Sequence, residues 1–140
     1  MDDLQQRLLK ISDAVFAGTP VMFAYLYGSH ARGVPHRFSD LDIGVVVETP
    51  RQGADLDLEL SLSLRIDELL NHQASSEVRV LNYLPLTVIG RILCEAKRIY
   101  SRDEDKRVQF ETRFRSAYFD FLPVIRHYQE TYRKKLLSEA

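Results

Sequence analysis

The chain has 140 residues and a mass of 16.2 kDa, is 45% hydrophobic and 28% charged, and carries one cysteine and a net charge of −1. That length suits one domain with a sizeable core, and the balance excludes wholesale disorder and a fibrous repeat. A near-zero net charge argues against a dedicated nucleic-acid binder, no apolar run reaches the roughly 18 residues of a membrane span, and the lone Cys94 predicts a reducing, cytosolic setting.

Charge is uneven along the chain. Residues 1–70 hold 6 Lys/Arg against 11 Asp/Glu, whereas residues 71–140 hold 13 against 9. This predicts an acidic catalytic half and a basic half facing a partner, with solvated surface as the plain alternative for any one charge.

Leu4, Leu8, Ile11 and Val15 recur at helical spacing, predicting an N-terminal helix that ends near Gly18. The apolar, aromatic run Val21–Tyr27 reads as a buried strand stopped by Gly28, and Leu41–Val47 as a second strand rich in β-branched residues. Residues 54–70 carry leucines over a wide helical face, and Val78–Leu84 reads as a third strand. Pro85 then opens a helix, and residues 104–137 form a last helical segment that Pro123 should kink or divide. The order helix-strand-strand-helix-strand-helix-helix gives an α/β (α+β) class with a mixed sheet flanked by helices.

The chemistry concentrates between residues 28 and 43. Gly28 and Ser29 follow a strand directly, where a tight turn opens a short helix whose N–H groups and hydroxyl suit an anion, and Arg32 on that helix adds positive charge. Asp40 and Asp42 stand two apart at the start of an apolar strand, so both side chains share a face about 7 Å apart. Two like charges there repel unless something compensates, and Mg²⁺ with a nucleotide's phosphates is the obvious compensator. A solvated strand end is the bland alternative. His30 and His36, between the two motifs, read as exposed loop residues, and Cys94 as a small buried residue on a helix.

Gly28-Ser29, ten intervening residues, then Asp40-x-Asp42 before Ile43-Gly44-Val45-Val46-Val47 resembles the signature of the polymerase-beta-like nucleotidyltransferase superfamily. Gly-Ser-x-Ala-Arg-Gly with a Ser-Asp-x-Asp end is similar, more narrowly, to the minimal nucleotidyltransferase (MNT) group. The resemblance implies a minimal nucleotidyltransferase domain over 1–100 and, over 101–140, a helical extension packing on it or on a partner. It implies ATP as substrate, its phosphates held by Gly28, Ser29, Arg32, Arg37 and Ser39, with Mg²⁺ as cofactor at Asp40 and Asp42. Many MNT proteins are antitoxins of HEPN-domain ribonuclease toxins, and some transfer AMP to a toxin tyrosine. A hetero-oligomer with a HEPN toxin, without direct nucleic-acid binding, is therefore the expected assembly. A catalytically disabled antitoxin that acts by binding, and a small-molecule nucleotidyltransferase, are the rival expectations.

One position departs from the superfamily pattern, which usually places a third carboxylate on a later strand between apolar residues. Here that strand reads Glu77-Val78-Arg79-Val80-Leu81, with Arg79 at the matching place. Glu77 lies on the same face two residues earlier and serves as the third catalytic and metal-binding acid if the register allows; otherwise it is a solvated strand end. Arg79 either neutralises the aspartates in an ion pair or binds phosphates. Finally, Tyr118, Phe121, Ile125, Tyr128 and Tyr132 make one aromatic stripe along the last helix, expected to dock the toxin unless it is core.

Overall fold

The computed structural model describes residues 3–33 and 40–139. Four strands, β1 (Val21–Tyr27), β2 (Leu41–Val47), β3 (Ser76–Val80) and β4 (Lys97–Ser101), form one sheet in the order β3-β2-β1-β4. β1 runs antiparallel to β2 and β4, whereas β2 and β3 are parallel. Among the described residues five α-helices accompany them: α1 (Asp3–Phe16), α2 (Gly28–Ala31), α3 (Gln52–Leu69), α4 (Leu86–Glu95) and α5 (Glu104–Ser138).

Alternation along the central strand divides the molecule into layers. Leu41, Ile43, Val45 and Val47 of β2 join Leu8 and Phe16 of α1 and Leu62 and Ile66 of α3 in one cluster. On the other face Val46 of β2 joins Phe23, Tyr25, Ile89, Ile92 and Leu93, with Phe110 and Phe114 of α5 packed against them. The sheet is therefore buried between α1 and α3 on one side and α4 and the first half of α5 on the other. At the α4 side, the end of the sheet that carries Asp42 is left open.

Several sequence expectations change here. The third strand stops at Val80, and Leu81–Tyr83 form a 3₁₀ turn whose Asn82 amide exchanges hydrogen bonds with the Val47 backbone. The short edge strand β4 was not expected. Its Lys97-Arg98 start hides a strand that only pairing with β1 reveals. Cys94 is exposed, and His30 is buried. α5 is one continuous helix through Pro123. The proline is exposed at a point where the helix has left the sheet, and its missing N–H leaves the carbonyl of the exposed Phe119 without its helical partner.

The first half of α5 is fixed by polar and steric contacts. Asp103 caps it, accepting from the Lys106 N–H. The buried Glu111 carboxylate takes Arg107 at 2.9 Å and Arg115 at 3.7 Å, and Arg115 also donates to the Leu93 carbonyl of α4 at 2.8 Å. Burial first, and Glu111 second, push the Tyr25 phenol far above its ordinary range, so it stays neutral. α4 and α5 approach so closely that a Cβ on Gly90 would overlap the Cβ of Tyr118 and lie 2.8 Å from its Cδ2. Tyr118 is thus half-buried against α4, while Phe121, Tyr128 and Tyr132 of the same stripe are exposed. Gly90→Ala is expected to destabilise the protein by about 1–3 kcal/mol despite alanine's better helix propensity. A urea midpoint that is unchanged or raised would show that the two helices absorb the methyl.

Candidate active site

The open sheet end gathers Tyr27, Asp42, Glu77 and Arg79 through strand register. Asp42 pairs with Tyr27 across the antiparallel β1–β2 ladder and with Glu77 across the parallel β2–β3 ladder. Paired residues project to the same face, so Asp42 and Glu77 are neighbours. Arg79 pairs with Gly44, one step further along that face, and Asp40 immediately precedes β2. Of the two positions left open by the sequence, the structure brings Glu77, rather than Arg79, beside Asp42.

The electrostatics follow from this crowding. Asp42 has its carboxyl pushed above the usual range, first by burial and then by the charges of Glu77 and Asp40, with His30 and Arg79 opposing. The Tyr27 phenol is pushed up by burial and by Asp42. Among the described residues Arg79 makes no salt bridge, though its charge partly offsets that of Asp42.

Gly28 is where the backbone must turn beneath these carboxylates. Its φ is +75°, and a Cβ there would overlap Oδ2 of Asp42, so both conformation and space require glycine. Ser29 is half-buried on α2, and the His30 carbonyl accepts a hydrogen bond from the Gln5 side chain, which ties this short helix to α1. Arg32 sits at the end of α2 and reaches Glu95 of α4 at 3.3 Å. Arg37 and Ser39 lie outside the described residues.

Between this turn and α4 lies a cleft of about 380 Å³, within the range of small-molecule sites, lined by Tyr27, Gly28, Arg32, Arg79, Arg91 and Ile92 among others. Three guanidinium groups, that of Arg32 already paired with Glu95 of the same cleft, suit a phosphate-bearing ligand. Arg91 was missed by sequence reasoning, since a single arginine on a helix carries no signal until the helix is placed. A larger hollow of about 560 Å³, bordered by Glu48, Asp55 and Asp57, does not include the Asp42 cluster. Its Asp55 carboxylate is engaged by the Arg51 N–H and the Tyr83 hydroxyl.

The profile of the family described as Polymerase beta, Nucleotidyltransferase matches residues 10–105. The chain belongs to this family. Its match spans the turn, both aspartates, Glu77 and all four strands. No curated protein sequence matches the chain.

Among solved structures, the nucleotidyltransferase chain is similar to the toxin-antitoxin MntA-HpeT in a form substituted Asp to Glu at two positions. The TM-score is 0.64 at 14% identity, covering 95% of this chain and 98% of the other. A toxin-antitoxin with AMP-PNP gives a TM-score of 0.61 at 17% identity over 96% of each chain. A tri-AMPylated HEPN toxin in complex with MNT antitoxin, from Shewanella oneidensis, gives 0.56 at 15% over 97% of each. At these identities the likeness is one of fold, and it extends through α5.

The donor set suits a hard divalent cation in one mode only. Among the described residues no three His, Cys, Asp or Glu side chains converge into a ready cage. Mg²⁺ commonly takes one or two carboxylates and completes its shell with water and substrate phosphates, and the excess negative charge around Asp42 fits that mode. Because ionised Asp42 is held beside like charges, Asp42→Asn is expected to raise Tm by roughly 1–4 °C at neutral pH. A lowered Tm would show that the carboxylates stabilise one another through contacts other than charge.

Proposed function

We propose that this nucleotidyltransferase is an antitoxin that transfers AMP from ATP to a tyrosine of a HEPN-domain toxin. The observation that carries the reading is the parallel register of β2 with β3, which seats Glu77 beside Asp42 on the sheet end whose Tyr27, Gly28 and Arg79 line the arginine-bearing cleft. The full-length fold likeness to toxin-antitoxin structures, one containing AMP-PNP and one an AMPylated HEPN toxin, supports the substrate and the partner. In this reading residues 1–100 hold the chemistry and residues 101–140 engage the toxin.

The triphosphate lies on the Gly28-Ser29 turn, with Arg32, Arg79 and Arg91 facing its charge and Arg37 and Ser39 assigned by resemblance to the family. Asp40 and Asp42, with Glu77 within reach as a further carboxylate, would hold Mg²⁺, which would supply positive charge against the phosphoryl oxygens. The toxin's phenolic oxygen bonds to the α-phosphorus, the α–β phosphoanhydride bond breaks, and pyrophosphate leaves. Glu77, the carboxylate beside Asp42 and more exposed than it, takes the phenolic proton. Once α5 passes Pro123 its aromatic stripe has no cover: Tyr128 is 70% and Tyr132 65% exposed. Together with Phe121 and the inner edge at Tyr118, these residues form the toxin-docking face.

The rival from another class is an antitoxin that neutralises by binding alone. It is favoured by one observation, the arginine at position 79 where the family places an acid. Intact-mass measurement of the HEPN protein after incubation with this chain, ATP and Mg²⁺ separates the two. A gain of whole AMP units is expected. Asp40→Ala with Asp42→Ala should reduce the rate by on the order of 10²-fold or more, and Glu77→Gln by at least about 10²-fold. Toxin inhibited without any mass gain establishes the binding antitoxin instead. Tyr128→Ala with Tyr132→Ala should weaken the complex by roughly tenfold or more while leaving Tm unchanged. An unaltered Kd removes that face from the interface.

A further inference from the structure

The side of α3 turned away from the sheet is open, yet it is rich in leucine. Leu56, Leu60 and Leu64 recur every fourth residue and are 60%, 59% and 70% exposed, which makes one stripe rather than scattered apolar residues. The helix is also acidic, carrying Asp55, Asp57, Glu59, Asp67 and Glu68 against Arg65 alone. Asp57 and Glu68 are exposed along one flank of the stripe. Between the stripe and β3 runs a groove of about 390 Å³, lined by Leu56, Glu59, Leu60 and Ser63 and also by Glu77 and Arg79 of the transfer site.

Two common occupants of such a face are ruled out by chemistry. An added strand finds the β3 edge already taken: Asp67 accepts from the Ser76 N–H at 2.8 Å, Glu59 accepts from the Val80 N–H at 3.0 Å, and Ser63 donates to the Ser76 carbonyl at 2.6 Å. A second copy of the same face would set carboxylates against carboxylates. What fits is an amphipathic helix with apolar side chains for the leucines and Lys or Arg for Asp57 and Glu68.

We propose that this groove seats a basic amphipathic helix of the protein that receives AMP, and so brings its hydroxyl to Glu77 and Arg79 at the β3 edge, from the α3 side. The assignment to the acceptor rests on the transferase reading. Its geometric support is that Arg79 lines both hollows, the nucleotide cleft on the α4 side and this groove on the α3 side. In-line displacement requires acceptor and leaving pyrophosphate on opposite sides of the phosphorus, and two hollows meeting at one residue supply two directions of approach.

Two measurements on the full chain test the idea. In the first, a helical Leu/Lys peptide and a Leu/Glu peptide of identical apolar pattern are titrated against leucine-methyl-labelled protein. The Leu/Lys peptide should shift the methyls of Leu56, Leu60 and Leu64, lose affinity at high salt, and bind Leu60→Asp with Leu64→Asp about tenfold more weakly. The Leu/Glu peptide should not bind. Equal binding of both peptides, or shifts confined to the exposed Leu136 and Leu137 near the end of α5, overturns the docking surface. In the second, the same double variant should raise the KM for the HEPN acceptor about tenfold while the KM for ATP and the Tm stay at wild-type values. An unchanged acceptor KM overturns the assignment to the acceptor. If the wild-type chain transfers no AMP, the transferase reading falls, and the peptide titration still decides whether the groove binds a basic helix.

Discussion

The site depends on one constraint, the parallel register between β2 and β3. Leu41, Ile43, Val45 and Val47 must face α1 and α3, and Val78 and Val80 must face the same way, so the alternate residues Asp42, Glu77 and Arg79 have no choice of side. A slip by one residue would send a carboxylate into the core and Ile43 toward water, at a cost of several buried side chains. Apolar burial therefore holds together charges that repel. The raised Asp42 carboxyl records that opposition: the charged groups are crowded because the uncharged ones are well placed.

The same logic decides what was readable beforehand. Val21–Tyr27 is an unbroken apolar run stopped by a glycine turn, Leu41–Val47 is apolar but for Asp42 and Gly44, and the observed strands begin and end on those residues. Whether Glu77 or Arg79 meets Asp42 depends on pairing between segments more than thirty residues apart in sequence, which no local pattern encodes. β4 escaped for a related reason, since Lys97-Arg98-Ile99-Tyr100-Ser101 has only two buried residues and takes its form from β1. On α3, leucines at every second position from 56 to 64 distribute apolar character around the whole helix. The sequence thus shows an apolar helix, and only the packing of Leu62 and Ile66 shows which leucines are left outside.

α5 joins two roles in one stripe. Phe110 and Phe114 complete the core on the α4 side, and Tyr118 closes on Gly90. Beyond them the stripe continues along Phe121, Tyr128 and Tyr132 with nothing of its own domain to cover it. Of the stripe itself, Tyr118 is covered by α4, whereas Phe121, Tyr128 and Tyr132 are exposed. The Arg107–Glu111–Arg115 cluster lies in the covered half and ties it to the Leu93 carbonyl. What the domain leaves over is a long arm growing from a firmly held base.

Pro123 gives that arm a mechanical character. A proline N has no hydrogen to offer the Phe119 carbonyl, so one rung of the helical ladder is missing just past the last half-buried contacts on α4. A rod clamped along one half and notched just beyond the clamp bends at the notch when loaded. Force applied to the free half by a bound protein is relieved there rather than carried back through Gly90 and α4 into the sheet. Bending of the arm is therefore easiest beyond the Gly90 contact, outside the part of α5 that packs on the sheet.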